Sequence, residues 1–205
     1  MKKIIFTIFT LAIITTSYAQ VNFGLRGGLN LSDYSNLESD KKTDLYFGAF
    51  LSLKLGDLYT LQPELTYSKE GTKLNGNYDR LQSNTIKANF FSAAIINKFN
   101  IAKRAHVVIG PYLDIRMSEN IDYRNFNDNN YYYESVTNGA DIGFIAGFGF
   151  DVTDSFTIEA RYKQGFIDTF DVNYLDGYNN RYNNYNSHLN QVIQVGIAYK
   201  FKLRK

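Results

Sequence analysis

An alternating stretch runs from His106 to Met117 and reads HVVIGPYLDIRM. Apolar residues occupy every second position, at Val107, Ile109, Pro111, Leu113, Ile115 and Met117. The positions between them carry His106, Val108, Gly110, Tyr112, Asp114 and Arg116. Side chains of a β-strand point alternately to the two faces of a sheet, so the stretch predicts a strand with one apolar and one mostly polar face.

The same alternation recurs in seven further segments, which span residues 21–32, 45–55, 59–68, 86–99, 141–151, 156–165 and 193–201. Segment 86–99 is apolar on both faces around residues 90–96, so a short buried helix fits that run as well as a strand. Pro63 and Pro111 lie inside strand patterns. Because proline cannot donate a hydrogen bond to a sheet, we expect each of them at a bulge or a strained register.

The connections between these segments alternate in length. Three are short, at residues 56–58, 100–104 and 153–154, and four are long, at about 33–44, 69–85, 118–139 and 168–190. The long connections contain Asn- and Tyr-rich runs at 125–133 and 178–186. These runs are polar, aromatic and poor in β-branched residues, which predicts loops.

The N-terminus has the three parts of a secretory signal peptide. Lys2 and Lys3 precede an apolar core at residues 4–14, and Ser17 and Ala19 are the small residues expected at a cleavage site. The alternative is a transmembrane anchor, but so short an apolar core covers only about half of a roughly 30 Å hydrocarbon layer. We therefore predict a signal peptide at 1–19, cleaved after Ala19, and one domain at 20–205.

Composition excludes several classes of function. The 205 residues include 22 Lys+Arg and 20 Asp+Glu, and Lys2 and Lys3 account for the small positive excess. A mature chain of balanced charge is not expected to bind nucleic acid. No cysteine is present, which excludes disulfides, thiolate metal sites, a cysteine nucleophile and lipoprotein acylation. We predict no cofactor and no metal.

An all-β fold is predicted by three features together: the signal peptide, the eight alternating strands, and the short turns that alternate with long loops. The prediction is an eight-stranded antiparallel transmembrane β-barrel, an up-and-down meander whose apolar face meets lipid. With the N-terminus in the periplasm, the long loops face outward from the cell outer membrane. The alternative is a soluble secreted barrel or sandwich with the apolar face inward.

Three features of the two faces favour the membrane barrel. The polar face is rich in glycine, which suits a crowded lumen. Its charges balance, with Arg26, Lys54, Arg116, Arg161 and Lys163 against Glu64, Asp114, Asp141, Asp151 and Glu159. Aromatic residues lie near the ends of the apolar faces, where membrane interfaces are expected, at Tyr59, Tyr67, Phe99, Phe156, Tyr162, Tyr199 and Phe201.

Several motifs resemble those of the PorT-like outer-membrane β-barrel family. Residues 61–71, LQPELTYSKEG, resemble its "LQPELLYSxxG" stretch, and residues 26–32, RGGLNLS, its first strand. Residues 110–112, GPY, and 159–162, EARY, resemble two further strands. The resemblance spans essentially the whole mature chain and implies a small barrel of the "porin family" kind. The family's namesake is tied to a protein-secretion and gliding apparatus.

The fourth strand departs from the family pattern. The family often reads like "YLEIPLLLKY", whereas residues 90–99 here read FFSAAIINKF. Ser92 stands in place of the Glu and Ala94 in place of the Pro. This chain therefore lacks the fourth-strand carboxylate with which Arg26 or Arg161 would pair.

Candidates for chemistry are few. His106 is expected on the lumen face, and His188 ends a loop that also holds Asp168, Asp171, Asp176 and Ser187. A histidine near carboxylates can activate water or a serine, but the pattern shows no fixed geometry, and we predict that the chain is not an enzyme. Asp171, Asn173 and Asp176-Gly177 faintly resemble a calcium loop, with the wrong spacing and no terminal Glu.

The expected function is structural or interaction-based, with no catalytic, cofactor-binding or metal-site residue assigned. Eight strands leave a lumen that side chains fill, so the charges at Arg26, Glu64, Arg116, Glu159 and Arg161 are expected to pair and plug it. The Tyr-rich stretches 131–133 and 174–185 are candidates to bind glycan, protein or lipid head groups from a monomeric barrel. The alternatives are a narrow channel for ions or small solutes and a loop-based surface hydrolase.

Overall fold

The computed structural model describes residues 20–36, 39–74, 85–122, 133–136, 139–168, 171–175, 181–183 and 187–201. Within them, eight long strands form the wall of a barrel: β1 (Gln20–Tyr34), β2 (Ser39–Lys54), β3 (Tyr59–Leu74), β4 (Thr85–Asn100), β5 (Ala105–Asp122), β7 (Ala140–Asp151), β8 (Phe156–Gly165) and β11 (Asn190–Phe201). Three short strands, β6 (Tyr133–Val136), β9 (Asp171–Leu175) and β10 (Arg181–Asn183), lie in the long connections.

The eight long strands close on themselves. Their order around the barrel is β1-β11-β8-β7-β5-β4-β3-β2, and every neighbouring pair is antiparallel. The first and last strands form the seam, where Phe23 pairs with Phe201 and Tyr34 with Asn190. The predicted eight-stranded antiparallel meander is therefore confirmed. The predicted signal peptide, residues 1–19, lies outside the described residues.

The barrel has two distinct ends. The connections 55–58, 101–104 and 152–155 are tight hairpins, in which the N–H groups of Gly56, Ala102 and Thr153 donate to the carbonyls of Tyr59, Ala105 and Phe156. These hairpins confirm the predicted short turns, and both strand ends Gln20 and Phe201 lie beside them. We call this end the turn side and the opposite end the loop side.

The two faces of the wall are inverted relative to a soluble protein. Apolar side chains point outward and are exposed, with Phe47 at 63%, Ile95 at 53% and Phe148 at 69%. Charged side chains point inward and are buried, with Glu64 at 4% and Arg161 at 2%. A soluble barrel with its apolar face inward, the alternative raised from the sequence, is therefore wrong.

The ambiguous segment 86–99 is a strand and not a helix. In β4, buried and exposed positions alternate from Ile86 to Ile96, and every position from Thr85 to Lys98 that pairs with β3 does so without a shift. The segment reads as apolar on both faces because the lumen beside it is apolar. Ala94 and Ile96 pack inside against Val108, Tyr112 and Ile145.

The predicted bulges at Pro63 and Pro111 are wrong. Pro63 pairs with Ile95 and Pro111 with Phe144 in uninterrupted register. On the other side of each proline the pairing skips two positions and resumes unshifted, between Glu64 and Leu61 on β3 and between Tyr112 and Ile109 on β5. The missing N–H is thus accommodated by a short gap in one ladder. The register shifts lie elsewhere, between Lys41 and Tyr46 and between Asn89 and Phe90.

All four long connections are more ordered than predicted, since β1, β2, β3 and β5 extend into them and β6, β9 and β10 lie within them. Of the stretch 33–44, residues 39–44 belong to β2, because backbone bonds to β1 and β3 continue above the apolar belt. The last two long connections, 118–139 and 168–190, contain a second sheet of order β10-β9-β6, in which Tyr133 and Tyr182 both pair with Tyr174. Tyrosine is a good strand former, and the loop prediction weighted asparagine too heavily. Residues 125–132, 178–180 and 184–186 lie outside the described part.

Gly71 lies on the loop side, where β3 closely approaches β4 and is bound to β1. Its φ of 151° is unfavourable for other residues, and an added Cβ would overlap the carbonyl oxygen of Ile86. Its backbone N–H donates to the Ser32 hydroxyl at 2.9 Å, and the hydroxyl donates to its carbonyl at 2.8 Å. β1 is thereby bound to β3, two strands away.

Among the described residues, no helix has the length and apolar character needed to span a membrane.

If the outward face meets lipid, a charged residue placed on it should destabilise the folded barrel. Ile95 lies midway along the apolar face of β4, and Ile95→Arg is expected to cost about 2–4 kcal/mol of folding free energy in a bilayer. The measurement is the urea dependence of folding into phosphatidylcholine vesicles, followed by the heat-shifted gel mobility of the folded barrel.

Ile101→Arg is the matched control. Ile101 is 63% exposed in a hairpin at the turn side, outside the wall. The control variant is expected to unfold as the wild type does. Equal urea midpoints for Ile95→Arg and the wild type would contradict a lipid-facing wall.

Candidate functional site: the charged lumen and its loop-side rim

Four charged side chains meet inside the barrel, in the half nearer the turn side. Arg161 on β8 donates from Nη1 to Glu64 Oε2 at 2.9 Å and from Nη2 to Glu64 Oε1 at 3.0 Å. Arg161 Nη2 also lies 2.8 Å from Glu159 Oε2. Arg26 on β1 binds the same Glu64 and lies 3.6 Å from Glu159. All four side chains are almost completely buried, so each charge is neutralised by its neighbours; we call them the turn-side cluster.

A second group of polar side chains lies nearer the loop side. The Lys163 ammonium on β8 is 2.8 Å from Glu70 Oε1 and also binds Asp114. Glu70 accepts hydrogen bonds from Ser68 and Asn190, and the Ser92 hydroxyl donates to Asp114. These residues form the loop-side cluster. The rings of Tyr112 and Phe90 lie 4.6 and 5.9 Å from the ammonium, which gives it aromatic faces as well as carboxylates.

Both clusters cross the full width of the barrel. β8 and β3 are four places apart in a ring of eight strands, so they face each other across the lumen. Arg161–Glu64 and Lys163–Glu70 join these two strands, from successive inward positions on β8 to carboxylates six residues apart on β3. Side chains that meet from opposite walls leave little free cross-section, as expected for eight strands.

Inward-facing glycines make room for the largest lumen side chains. A Cβ at Gly24 would overlap the ring of Phe50, and a Cβ at Gly149 would overlap the imidazole of His106. The glycine-rich polar face is therefore the complement of the bulky groups opposite it, as the sequence indicated.

His106 lies on the lumen face at the turn side, as predicted. Its Nδ1 is 3.5 Å from Asp151 Oδ2 and its Nε2 is 3.8 Å from Glu159 Oε1. These distances are too long for strong hydrogen bonds, so the carboxylates act on His106 mainly through charge. Asp151 also accepts from Thr157 at 2.6 Å and lies 3.4 Å from the Lys98 ammonium. His106 thus extends the turn-side cluster to the barrel mouth.

His188 lies buried at the loop-side rim and anchors a connection. Its backbone N–H donates to the Asp168 carboxylate at 2.9 Å, and its Nδ1 is 3.1 Å from the Ser35 carbonyl oxygen. The Ser187 carbonyl accepts from the Ser35 hydroxyl at 3.2 Å. These contacts bind the segment before β11 to the connection after β1. Of the other residues predicted near His188, Asp171 begins β9, and Asp176 lies outside the described residues.

The faint calcium pattern and Arg116 fall outside the two clusters. The backbone of Asp171 and Asn173 is part of β9, whereas Asp176 and Gly177 are not described. Arg116 pairs with Glu119 at 3.0 Å on its own strand. In the described residues, no three His, Asp or Glu side chains are arranged to hold a metal ion.

Arg26 and Arg161 pair with a carboxylate on the third strand and not on the fourth. Glu64 on β3 supplies the carboxylate that binds Arg26 and Arg161. Ser92, in place of the family's Glu, donates instead to Asp114. The sequence reading missed Glu70 because it ended the third segment at residue 68; extending the alternation by one inward position would have included it.

Comparison with known proteins agrees with this architecture. A family model described as outer membrane protein beta-barrel domain matches residues 16–171. Neisserial surface protein A (NspA) superimposes with a TM-score of 0.52 and 13% identity, over 89% of this chain and 97% of that one. OprG from Pseudomonas aeruginosa superimposes with a TM-score of 0.51 and 12% identity, over 90% of this chain and 98% of that one. At these identities the similarity shows a shared fold. No curated protein sequence matches the chain.

Removing one member of the turn-side cluster should destabilise the barrel. Arg161→Ala leaves Glu64 and Glu159 buried with less compensation, and we expect a loss of about 3–5 kcal/mol in unfolding free energy. The measurement is urea unfolding of the refolded barrel. Arg104→Ala, in an exposed hairpin at the turn side, is the control and should change stability by less than about 0.5 kcal/mol. An unchanged midpoint for Arg161→Ala would show that the cluster has no structural role.

Proposed function

Because the chain belongs to the outer membrane protein beta-barrel domain family, we propose that it is a barrel closed to solutes that acts at the cell surface. In this proposal the wall anchors the protein in the outer membrane, and the loop-side residues make contact with surface partners. We further propose that it is a monomer, is not an enzyme and is related to the PorT-like barrels, on the motifs at 26–32, 61–71 and 159–162. Export depends on the proposed signal peptide, cleaved after Ala19.

The proposal of a closed lumen rests on two ion pairs that join β8 to β3. Arg161–Glu64 and Lys163–Glu70 bind opposite walls at two levels, and each bridge is buried and has a further charged partner, Glu159 or Asp114. An ion crossing the barrel would have to displace both bridges in turn. Separating buried charges costs several kcal/mol for each pair, which disfavours steady conduction.

The surface role is supported by the loop-side sheet. β6, β9 and β10 place Tyr133, Tyr174 and Tyr182 at one level of paired strands. Tyrosine offers a large contact area at low entropic cost, and asparagine adds adaptable hydrogen bonds. A strand-paired framework holds such residues in a more defined arrangement than a free loop does. With the turn side in the periplasm, this sheet faces the medium and suits a glycan or protein partner.

The closed lumen is tested by single-channel conductance in planar bilayers. We expect no steady openings from the mature chain, with folding confirmed by heat-shifted gel mobility. A general porin refolded and reconstituted in the same way is the positive control.

Steady, ion-selective openings would contradict the proposal and favour the narrow channel. Arg26, Arg116 and Arg161 would then be the candidates for selectivity. Hydrolysis of a lipid or peptide substrate that is lost in His188→Ala would instead favour a surface hydrolase.

A further inference from the structure

Three lysines lie together on the outer surface of one hairpin. Lys69 and Lys73 are on β3 and Lys87 is on β4, all exposed. In the β3–β4 ladder, Lys87 pairs with Gly71, which lies between the other two lysines and contributes no side chain. From strand dimensions, the Lys87 Cα is about 8 Å from each of the other two. We call these three residues the basic face.

The basic face lies directly beyond the aromatic end of the apolar wall. Tyr67 pairs with Phe47 on one side and Phe91 on the other, and the rings of Phe47 and Tyr67 are 5.5 Å apart. Aromatic groups of this kind mark the membrane interface. Lys69 is the next outward position on β3, about 7 Å farther toward the loop side, and Lys87 lies about 14 Å beyond Phe91. The lysines therefore begin at head-group level and extend outward.

A fourth lysine lies beside the basic face, since a Cβ added at Gly71, between Lys69 and Lys73, would be 3.3 Å from Lys42 Cδ. Lys42 is three residues beyond Leu45, the last apolar outward residue of β2, and its ammonium pairs with Asp44. A span needs only about 9–11 residues of the 16 in β2, so Lys42 lies outside the hydrocarbon layer. Burial, followed by the positive charges of Lys87, Lys69 and Lys73, lowers the pKa of Lys42 to about 8.

Among the residues that the structure describes, the exposed lysines of the loop side are concentrated on β2, β3 and β4. Lys41 is exposed beside the basic face, and Asp40, opposite Lys73, is the acidic residue closest in register. At comparable outward positions on β8 and β11 stand Tyr162, Gln164 and Gln191, which are neutral. A one-sided cluster of like charges repels itself and is stabilised by an anion that touches several members at once.

We propose that Lys69, Lys73 and Lys87 bind the phosphate groups of the phosphorylated glycolipid that forms the outer leaflet of the outer membrane. This inference rests on the proposed orientation, with the loop side outward. A lipid anion suits the site because its head group lies at the level of the lysines while its acyl chains lie along Phe47, Phe91 and the apolar wall below. A soluble polyanion would use only the upper lysines and none of that wall.

The test compares two triple variants of the folded full barrel in detergent. K69Q/K73Q/K87Q removes the basic face, and K54Q/K103Q/R104Q removes three exposed cations at the turn side. Each protein is titrated with diphosphoryl lipid A and with enzymatically dephosphorylated lipid A. Binding is followed as the shift in urea midpoint, since a ligand specific to the folded state stabilises it.

We expect K69Q/K73Q/K87Q to bind diphosphoryl lipid A about a hundredfold more weakly than the wild type, which corresponds to about a fivefold contribution per lysine. The turn-side variant should bind as the wild type does, and added salt should weaken wild-type binding.

Three results would overturn the inference. They are equal affinity of K69Q/K73Q/K87Q and the wild type, equal affinity for the dephosphorylated lipid, or tighter binding of heparin than of lipid A. The last would assign the surface to soluble polyanions. Failure of the wild type to insert into phosphatidylcholine vesicles would instead overturn the proposed membrane barrel, and so the two failures are distinguishable.

Discussion

The structure depends on one constraint: in a hydrocarbon layer every backbone N–H and C=O must find its partner within the chain. An open sheet cannot meet this condition, because its two edges would remain unpaired. Pairing β1 with β11 removes both edges, and with eight strands the enclosed space is only wide enough for side chains. The inverted placement of apolar and charged residues, the inward glycines and the cross-lumen ion pairs all follow from that narrow, closed wall.

The ion pairs contribute more to specificity than to net stability. Burying a charge is costly, and a well-paired cluster does little more than offset that cost. A register shift of one residue, however, would exchange the two faces of a strand. Such a shift in β3 would place Glu64 in lipid, and one in β8 would place Arg161 there. Because Arg161 on β8 binds Glu64 on the opposite strand, the alternative registers of two distant strands are penalised together. The cluster therefore selects one arrangement of the wall.

The alternation of residues predicted the strands, their number and the lipid-facing side, because period two is a local property of the chain. It could not predict partners. That Glu64 binds both Arg26 and Arg161 depends on register around the ring, which no single segment contains. Predictions from single segments were also wrong where pairing with neighbouring strands decided the structure. Pro63 causes a gap in one ladder and not a bulge, residues 39–44 continue β2, and Tyr174 belongs to a paired strand. The basic face likewise emerges only when β3 and β4 are aligned.

The seam between the first and last strands has a consequence for biogenesis. Phe23 pairs with Leu51 on β2 and with Phe201 on β11, so the earliest residues of the wall gain one partner early and the other only after nearly the whole chain is present. Contacts of such long sequence separation form slowly. Any smaller set of strands ends in two unpaired edges, whose N–H and C=O groups the hydrocarbon layer cannot satisfy. The unclosed chain is therefore prone to aggregation until its final strand pairs, and a truncation at any hairpin is expected to yield an aggregation-prone open sheet instead of a smaller barrel.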